Sequence, residues 1–398
     1  MHHTDHTFKK ITSFFICACI LFTGCDGGKE SKLIGTGAEI PEYDIEAREL
    51  PDNEAMTFVK NLKIGWNLGN TLDSNAKTSM ESAAETSWGS PMITEEMIAD
   101  IKDAGFNTIR IPVTWHTHVD ESFKISDYWL GRVKEVVDYA YKRKMYVIIN
   151  IHHDMEKSYY YPTYETLESS RRYSDAIWEQ LCETFKDYDE HLIFESINEP
   201  RLTGTDNEWW IDTESEIGKE AIDCIMQINQ SFVDLVRASG GNNAARYLMT
   251  PSYCASPSYA CADYFNLPDD PAQRTILSVH AYEPYNFALS DDKASNTFVK
   301  GRTSGQVKSV IDSLYEKYTS KGVPVVIGEF GSRNKDNLES RTEHAAYYVS
   351  EARSAGITCV WWDNNAFTGN GELFGLYGRN EMEWKYPDIV IAMMKNCE

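Results

Sequence analysis

The sequence predicts a (β/α)8 barrel, an α/β fold formed by a single large domain, and three observations carry that prediction. Eight short β-rich runs recur along the chain, helix-patterned stretches separate most of them, and the runs are apolar on both faces a strand presents. A strand apolar on both faces belongs to a parallel sheet covered by helices, and eight such units in alternation close a barrel. The runs are LKIGWNLGN (62–70), TIRIPV (108–113), YVIINIHH (146–153), LIFESINEP (192–200), YLMTPSY (247–253), ILSVHAY (276–282), VPVVIGEFG (323–331) and TCVWWDNN (358–365). A doubly wound open sheet is the rival. The count of eight weighs against it, as does the lack of a Gly-rich phosphate loop at the first strand-to-helix turn.

In chain order, Lys9 and Lys10 precede ITSFFICACILFTG, which is too short to span a bilayer as a permanent helix. It suits the apolar region of a secretory signal. The run ends at Gly24-Cys25, and LFTGC resembles a bacterial lipobox with Phe22 at the usual Leu position. The expectation is a lipoprotein signal over 1–25 and export across the inner membrane. Cys25 would carry the lipid anchor, at the cell surface or in the periplasm, with plain secretion as the rival. Residues 26–53 carry Gly, Glu, Asp and Pro with little apolar periodicity and read as a flexible tether. No repeat and no second change of composition follows, so 54–398 read as one domain. Among its helices, TEEMIADIKDAG (94–105) begins on a Thr cap and stops on Gly, and WLGRVKEVVDYAYKRK (129–144) spaces its apolar residues helically.

Composition narrows the partners. With 61 acidic against 38 basic side chains and a net charge of −23, the chain lacks the Lys/Arg surface that nucleic acid requires. The 10 Trp and 23 Tyr supply flat apolar faces of the kind that stack on sugars. Beyond Cys25, six cysteines remain with no CxxC pair and no zinc spacing. Cys254 and Cys261 are near enough in sequence to bridge, but buried free thiols are the favoured reading. Nothing demands a partner chain, and a monomer is expected.

Residues at the carboxyl ends of barrel strands converge on one mouth. Those ends hold Asn67, Asn70, Arg110, His152, His153, Asn198, Glu199, His280, Tyr282, Glu329, Trp361 and Trp362, polar or aromatic groups where core residues belong. Two carboxyls at the ends of the fourth and seventh strands suggest glycoside hydrolysis, in which one acid protonates the leaving oxygen and a second carboxylate acts opposite it. Glu199 would be the acid/base, kept protonated near neutral pH by burial and by the negative Glu329. Glu329 would be the nucleophile, held ionised by Arg110 with Tyr282 as hydroxyl donor. Asn198 would donate to the sugar 2-hydroxyl, and Trp362 would floor the site. Trp88 and Trp115 are candidate stacking platforms by position. His152-His153-Asp154 has metal-ligand residue types, but neighbouring strand residues point to opposite sides, so no shared ion is expected unless the strand ends there.

The motifs TIRIP with Arg110, INIHHD with His152, SINEP with Glu199, SVHAY with His280 and Tyr282, VVIGEFG with Glu329, and WW with Trp362 together resemble the strand-end set of glycoside hydrolase family 5, the large cellulase family. GWNLGNTLD resembles its endoglucanase and xyloglucanase branch, and the resemblance spans Lys63 to Asn365. It implies the (β/α)8 fold and a retaining mechanism with Glu199 as acid/base and Glu329 as nucleophile. It also implies that Arg110, His152, Asn198, His280, Tyr282 and Trp362 line the subsite of the sugar losing its bond. Asn70, Asp73 and His153 would meet the sugar further toward the non-reducing end. No metal or organic cofactor is implied. The implied substrate is a β-glucan polysaccharide: cellulose-like glucan, xyloglucan or mixed-linkage glucan. A mannanase or xylanase is the alternative within the same chemistry. A non-catalytic surface glycan-binding protein is the alternative outside it, one free to lose a carboxyl that this chain keeps.

Overall fold

Each apolar run becomes one strand of a closed parallel barrel, because each is buried on both faces and has helices to cover it. The computed structural model describes residues 33–398; the expected signal, the expected lipid-attachment residue Cys25 and residues 26–32 lie outside the described residues. The strands are β1 (Ile64–Leu68), β2 (Thr108–Ile111), β3 (Tyr146–Asn150), β4 (Leu192–Glu195), β5 (Leu248–Pro251), β6 (Thr275–His280), β7 (Val325–Phe330) and β8 (Thr358–Asp363). They pair in chain order and close where β8 meets β1, with Trp361 opposite Trp66.

The helices are α1 (Glu54–Asn61), α2 (Glu95–Asp103), α3 (Asp127–Tyr141), α4 (Leu167–Thr184), α5 (Glu216–Ala238), the one-turn α6 (Pro257–Ala260) and α7 (Tyr285–Ala288), α8 (Gly305–Lys317), α9 (Leu338–Ser354) and α10 (Pro387–Asn396). Local chemistry starts them: Asn53, Thr94, Ser126 and Ser215 each accept a first-turn N–H into the side chain, of α1, α2, α3 and α5 respectively. No described helix is long and apolar enough to cross a membrane.

Two layers of the barrel interior explain where the site sits. Ile148, Ile193, Met249, Ile276, Val326 and Val360 form one apolar cluster inside the strands, and Phe58 and Val59 of α1 with Leu62 just after it close it from below. Two residues further along the same strands, on the same face, come Asn150, Glu195, Ser278, Gly328 and Trp362. The interior therefore changes from apolar to polar within one pleat, just below the mouth.

The tether expected over 26–53 is corrected for its described part. Residues 33–53 have no regular secondary structure, yet they are strapped along α8, α9 and α10 by specific polar contacts. Asp388 accepts from the Thr36 N–H at 2.8 Å, Asn396 from the Tyr43 N–H at 2.9 Å, and the Ser354 carbonyl from the Arg48 N–H at 2.8 Å. Arg48 also bridges Glu351 at 2.6 Å and Asp312 at 2.9 Å. Low hydropathy does not free a segment whose polar groups find fixed partners on helices. The six cysteines beyond Cys25 are all free, including Cys254 and Cys261.

Replacing Arg48 by Ala leaves the buried Glu351 carboxylate with the Tyr347 hydroxyl, at 2.9 Å, as its remaining partner. The expected loss is about 1–3 kcal/mol of unfolding free energy, read as a lower urea midpoint at unchanged slope. An unchanged midpoint would mean that the strap contributes nothing to stability.

Candidate active site

Arg110 on β2 is fully buried, and its guanidinium reaches five partners on four other strands or their ends. Nε donates to Glu195 Oε2 at 2.7 Å, one terminal nitrogen to Asn67 Oδ1 at 3.0 Å and Glu329 Oε1 at 2.8 Å, and the other to Asn198 Oδ1 at 2.8 Å, with His280 Nε2 at 3.5 Å. Burial opposes its charge, but Glu195 and Glu329 outweigh burial and hold it protonated above the ordinary arginine range. Glu195 is itself fully buried and accepts further from Asn150 Nδ2 at 2.9 Å and Ser278 Oγ at 2.5 Å. Sequence reasoning missed Glu195, Asn150 and Ser278. The signal was there in the alternation of the runs: each follows a core Ile by two residues, on the face that Arg110 occupies.

Glu329 at the end of β7 takes Arg110 on one oxygen and the Tyr282 hydroxyl on the other, at 2.8 Å each. Both expected partners are present. Burial and the charge of Glu329 push the Tyr282 hydroxyl well above its usual range, so it stays a neutral donor. Because Arg110 takes the Asn198 oxygen, the amide nitrogen of Asn198 is the end turned to donate.

Glu199 stands across the mouth from Glu329, with one carboxylate oxygen of each within 4.8 Å of the other. His280 lies between them, Nδ1 at 2.7 Å from Glu199 Oε1 and 3.6 Å from Glu329 Oε2. Here an expectation is corrected. Burial does push Glu199 up, but the His280 hydrogen bond and the charges of His280 and Arg201 bring it below the ordinary glutamate range. Burial likewise disfavours the His280 imidazolium, yet Glu329 and Glu199 outweigh it and raise the imidazole. Both directions agree with a hydrogen bond in which His280 Nδ1–H donates to the Glu199 carboxylate. Sequence reasoning also missed Arg201, which lies 3.3 Å from Glu199 Oε2.

The other flank of the mouth carries the remaining expected residues. The Trp362 and His152 rings lie parallel, 5.8 Å apart. Gly69 makes room for them: a Cβ there would sit 2.8 Å from the Trp362 ring. His153 packs 4.4 Å from His152 and 5.4 Å from the half-exposed Trp88. Asp73 is buried and caps its own loop, accepting from the backbone N–H of Asn70 at 3.0 Å and of Thr71 at 2.6 Å. Burial raises Asp73 to about 6 and, as its leading cause, lowers His153 to about 4. Asn70 takes a positive φ of 54°, which an Asn tolerates, and this turns the loop under the mouth. Trp115 is corrected: it is fully buried with its indole N–H on the Asn150 carbonyl at 2.9 Å, a core residue and no stacking platform.

The opposite-sides argument against a metal also needs correction. β3 ends at Asn150, so His152 and His153 lie beyond the strand, and with Asp73 they bring one ligand-type atom each within 4.8 Å. The donors are already engaged, Asp73 by two backbone N–H groups and His152 Nδ1 by Asn150 at 3.1 Å. They serve as a hydrogen-bonded cleft wall.

Comparison with known proteins agrees with this geometry. The family profile described as Cellulase (glycosyl hydrolase family 5) matches residues 72–368. Endoglucanase A of Clostridium longisporum is 43% identical over 369 residues, covering 91% of this chain and 70% of that protein. The glycoside hydrolase 5 lichenase of Caldicellulosiruptor sp. F32, solved as a variant in complex with cellotetraose, is 52% identical with a TM-score of 0.88 over 91% of this chain and 100% of its own. A GH5-4 broad specificity endoglucanase from Clostridium longisporum is 44% identical, with a TM-score of 0.80 over 87% of this chain and 98% of its own.

Glu195→Ala removes one partner of a buried ion pair and strands the Arg110 Nε donor. The expected cost is about 3–5 kcal/mol, seen as a large fall in Tm together with loss of any activity that depends on Glu329. A Tm equal to that of the parent protein would show that Arg110 is oriented without Glu195.

Proposed function

The chain belongs to the cellulase family, glycosyl hydrolase family 5, and from that premise we propose that it is a retaining endo-β-1,4-glucanase acting through a covalent glycosyl-enzyme intermediate. One observation carries the reading: Glu329, clamped by Arg110 and Tyr282, faces Glu199 with their nearest oxygens within 4.8 Å. Carboxyls about 5 Å apart suit direct attack on the sugar, whereas about 6.5–9.5 Å leaves room for an intervening water.

Glu329 attacks the anomeric carbon while Glu199 gives a proton to the leaving oxygen, so the glycosidic bond breaks as the enzyme-sugar bond forms. The proton comes from the His280–Glu199 pair, in which 2.7 Å separates the two groups. Asn198 donates to the 2-hydroxyl as positive charge grows at the anomeric carbon, and Trp362 offers its face to the ring. Water then attacks the intermediate with Glu199 as base. Asn70, His153 and Trp88 hold the next sugars toward the non-reducing end, whereas Asp73, expected to join them, is fully buried and shapes the Asn70 loop from beneath.

The substrate class rests on the relatives. They are named endoglucanases and a lichenase, and one was solved with a β-1,4-linked glucose tetramer. We assign a β-1,4-linked glucan to this chain, whether cellulose-like, mixed-linkage or xyloglucan, the last on the motif resemblance alone. The N-terminal sequence further supports export and lipid attachment at Cys25, with the domain acting as a monomer.

Residues 33–398 incubated with carboxymethyl-cellulose, mixed-linkage glucan, xyloglucan, glucomannan and xylan should release mixed long fragments from the glucans, with Glu329→Gln slower by roughly 10⁴-fold or more. Proton NMR of the first product should show the β-anomer. Early α-anomer would overturn retention, and faster release from glucomannan or xylan would overturn the substrate class. The full chain expressed with its own N-terminus should partition into membranes and take up labelled palmitate, and Cys25→Ser should do neither; equal partitioning of the two would reject the anchor.

A further inference from the structure

Beyond Glu199 the chain enters the loop after β4, and two groups there have no role in the chemistry described so far. Arg201 donates to the Glu199 backbone oxygen at 3.0 Å and lies 3.3 Å from the Glu199 carboxylate. Its guanidinium is also centred 4.1 Å over the ring of Trp209, and Glu208 Oε1 accepts from its Nε at 3.3 Å. Glu208 is fixed in turn by the Gly204 N–H at 2.9 Å. Trp209 is 62% exposed, a large apolar ring left in solvent with a cation held on it. A guanidinium stacked on an indole and tied to a glutamate is confined to one place, and that place is beside the acid/base.

A retaining glycosidase needs two opposite states of that carboxyl. It must be protonated while the leaving sugar is present and ionised once that sugar has gone. The leaving sugar departs from the Glu199 side of the cleft, so the ligand-free enzyme and the glycosyl-enzyme share an empty space there. Arg201 lies against Glu199 in that empty arrangement.

We propose that Arg201 is a positioning residue for the second half of the reaction: anchored on Trp209, it keeps Glu199 in its carboxylate form after the leaving group departs, so that Glu199 acts as base. This rests on the retaining reading above. In the step concerned, Glu199 takes a proton from water, the water oxygen bonds to the anomeric carbon, and the bond from that carbon to Glu329 breaks with its electron pair returning to the Glu329 carboxylate. Around Glu199 the other titratable groups are His280 on β6, Tyr282 after it, Glu329 on β7, His153 after β3, Cys254 after β5 and Glu372 after β8. Of these with Arg201, His280 is an imidazole able to lose its proton and burial holds His153 neutral down to about 4, so Arg201 is the fixed cation of the set.

The test uses 2,4-dinitrophenyl β-cellobioside, whose leaving group departs without protonation, so that breakdown of the intermediate limits kcat. Arg201→Gln is expected to lower kcat about tenfold and to move its acidic limb up by about one pH unit, because loss of a neighbouring cation raises a carboxyl. Its kcat/KM on the same substrate, which reports the first step, should stay within about threefold of the parent. Arg201→Lys should bring the limb back toward its original place, and Trp209→Ala, at an exposed position, should move it the same way by less. A limb unmoved in both Arg201→Gln and Trp209→Ala, whatever happens to kcat, overturns the proposal and leaves Arg201 as loop packing. Failure of the parent enzyme to release dinitrophenolate overturns the glycosidase reading and this inference with it.

Discussion

One buried guanidinium organises the mouth of this barrel. Arg110 joins β2 to Glu195 on β4, Glu329 on β7 and Asn67 on β1, with Asn198 and His280 completing the set. An arginine with no exposed surface is tolerable only when its N–H groups and its charge are both met. Two carboxylates supply the charge. One of them, Glu195, is sealed away and serves the arginine; the other, Glu329, keeps 6% exposure and faces the cleft. The same cation therefore fixes the fold's upper layer and orients the carboxylate that faces the cleft.

That arrangement depends on the division of the barrel interior. Below it, aliphatic side chains and the α1 plug give a close-packed base whose rigidity positions everything above. One pleat higher, the same strands carry Asn150, Glu195 and Ser278, a polar layer held by mutual hydrogen bonds rather than by water. A half-satisfied layer of this kind would be worse than an apolar one. Here each member has a partner, so the layer acts as a rigid mount for the residues at the rim.

At the rim, charge is arranged to move. Glu199 is bracketed by His280 at 2.7 Å and Arg201 at 3.3 Å, both of which favour its ionised form in the empty site. Burial alone pushes the other way, and the geometry shows the specific partners winning. The imidazole that meets Glu199 also approaches Glu329, at 3.6 Å, so it links the two carboxyls across the mouth.

The sequence by itself determined the eight strands, their order and the two carboxyls, because strand burial and strand-end polarity are local patterns that one residue's neighbours reveal. Arg110, His152, Asn198, His280, Tyr282 and Trp362 were legible for the same reason: each stands within or just after its own apolar run. What only the tertiary structure decided was partnership. Whether Trp115 stacks on a ligand or fills the core, whether residues 33–53 swing free or bind helices, and which partners Glu199 meets each depend on groups far away in the chain. Glu195 lies between those cases. Its charge inside an apolar strand was visible, but the arginine that justifies it stands 85 residues earlier, and only closure of the barrel brings the two within 2.7 Å.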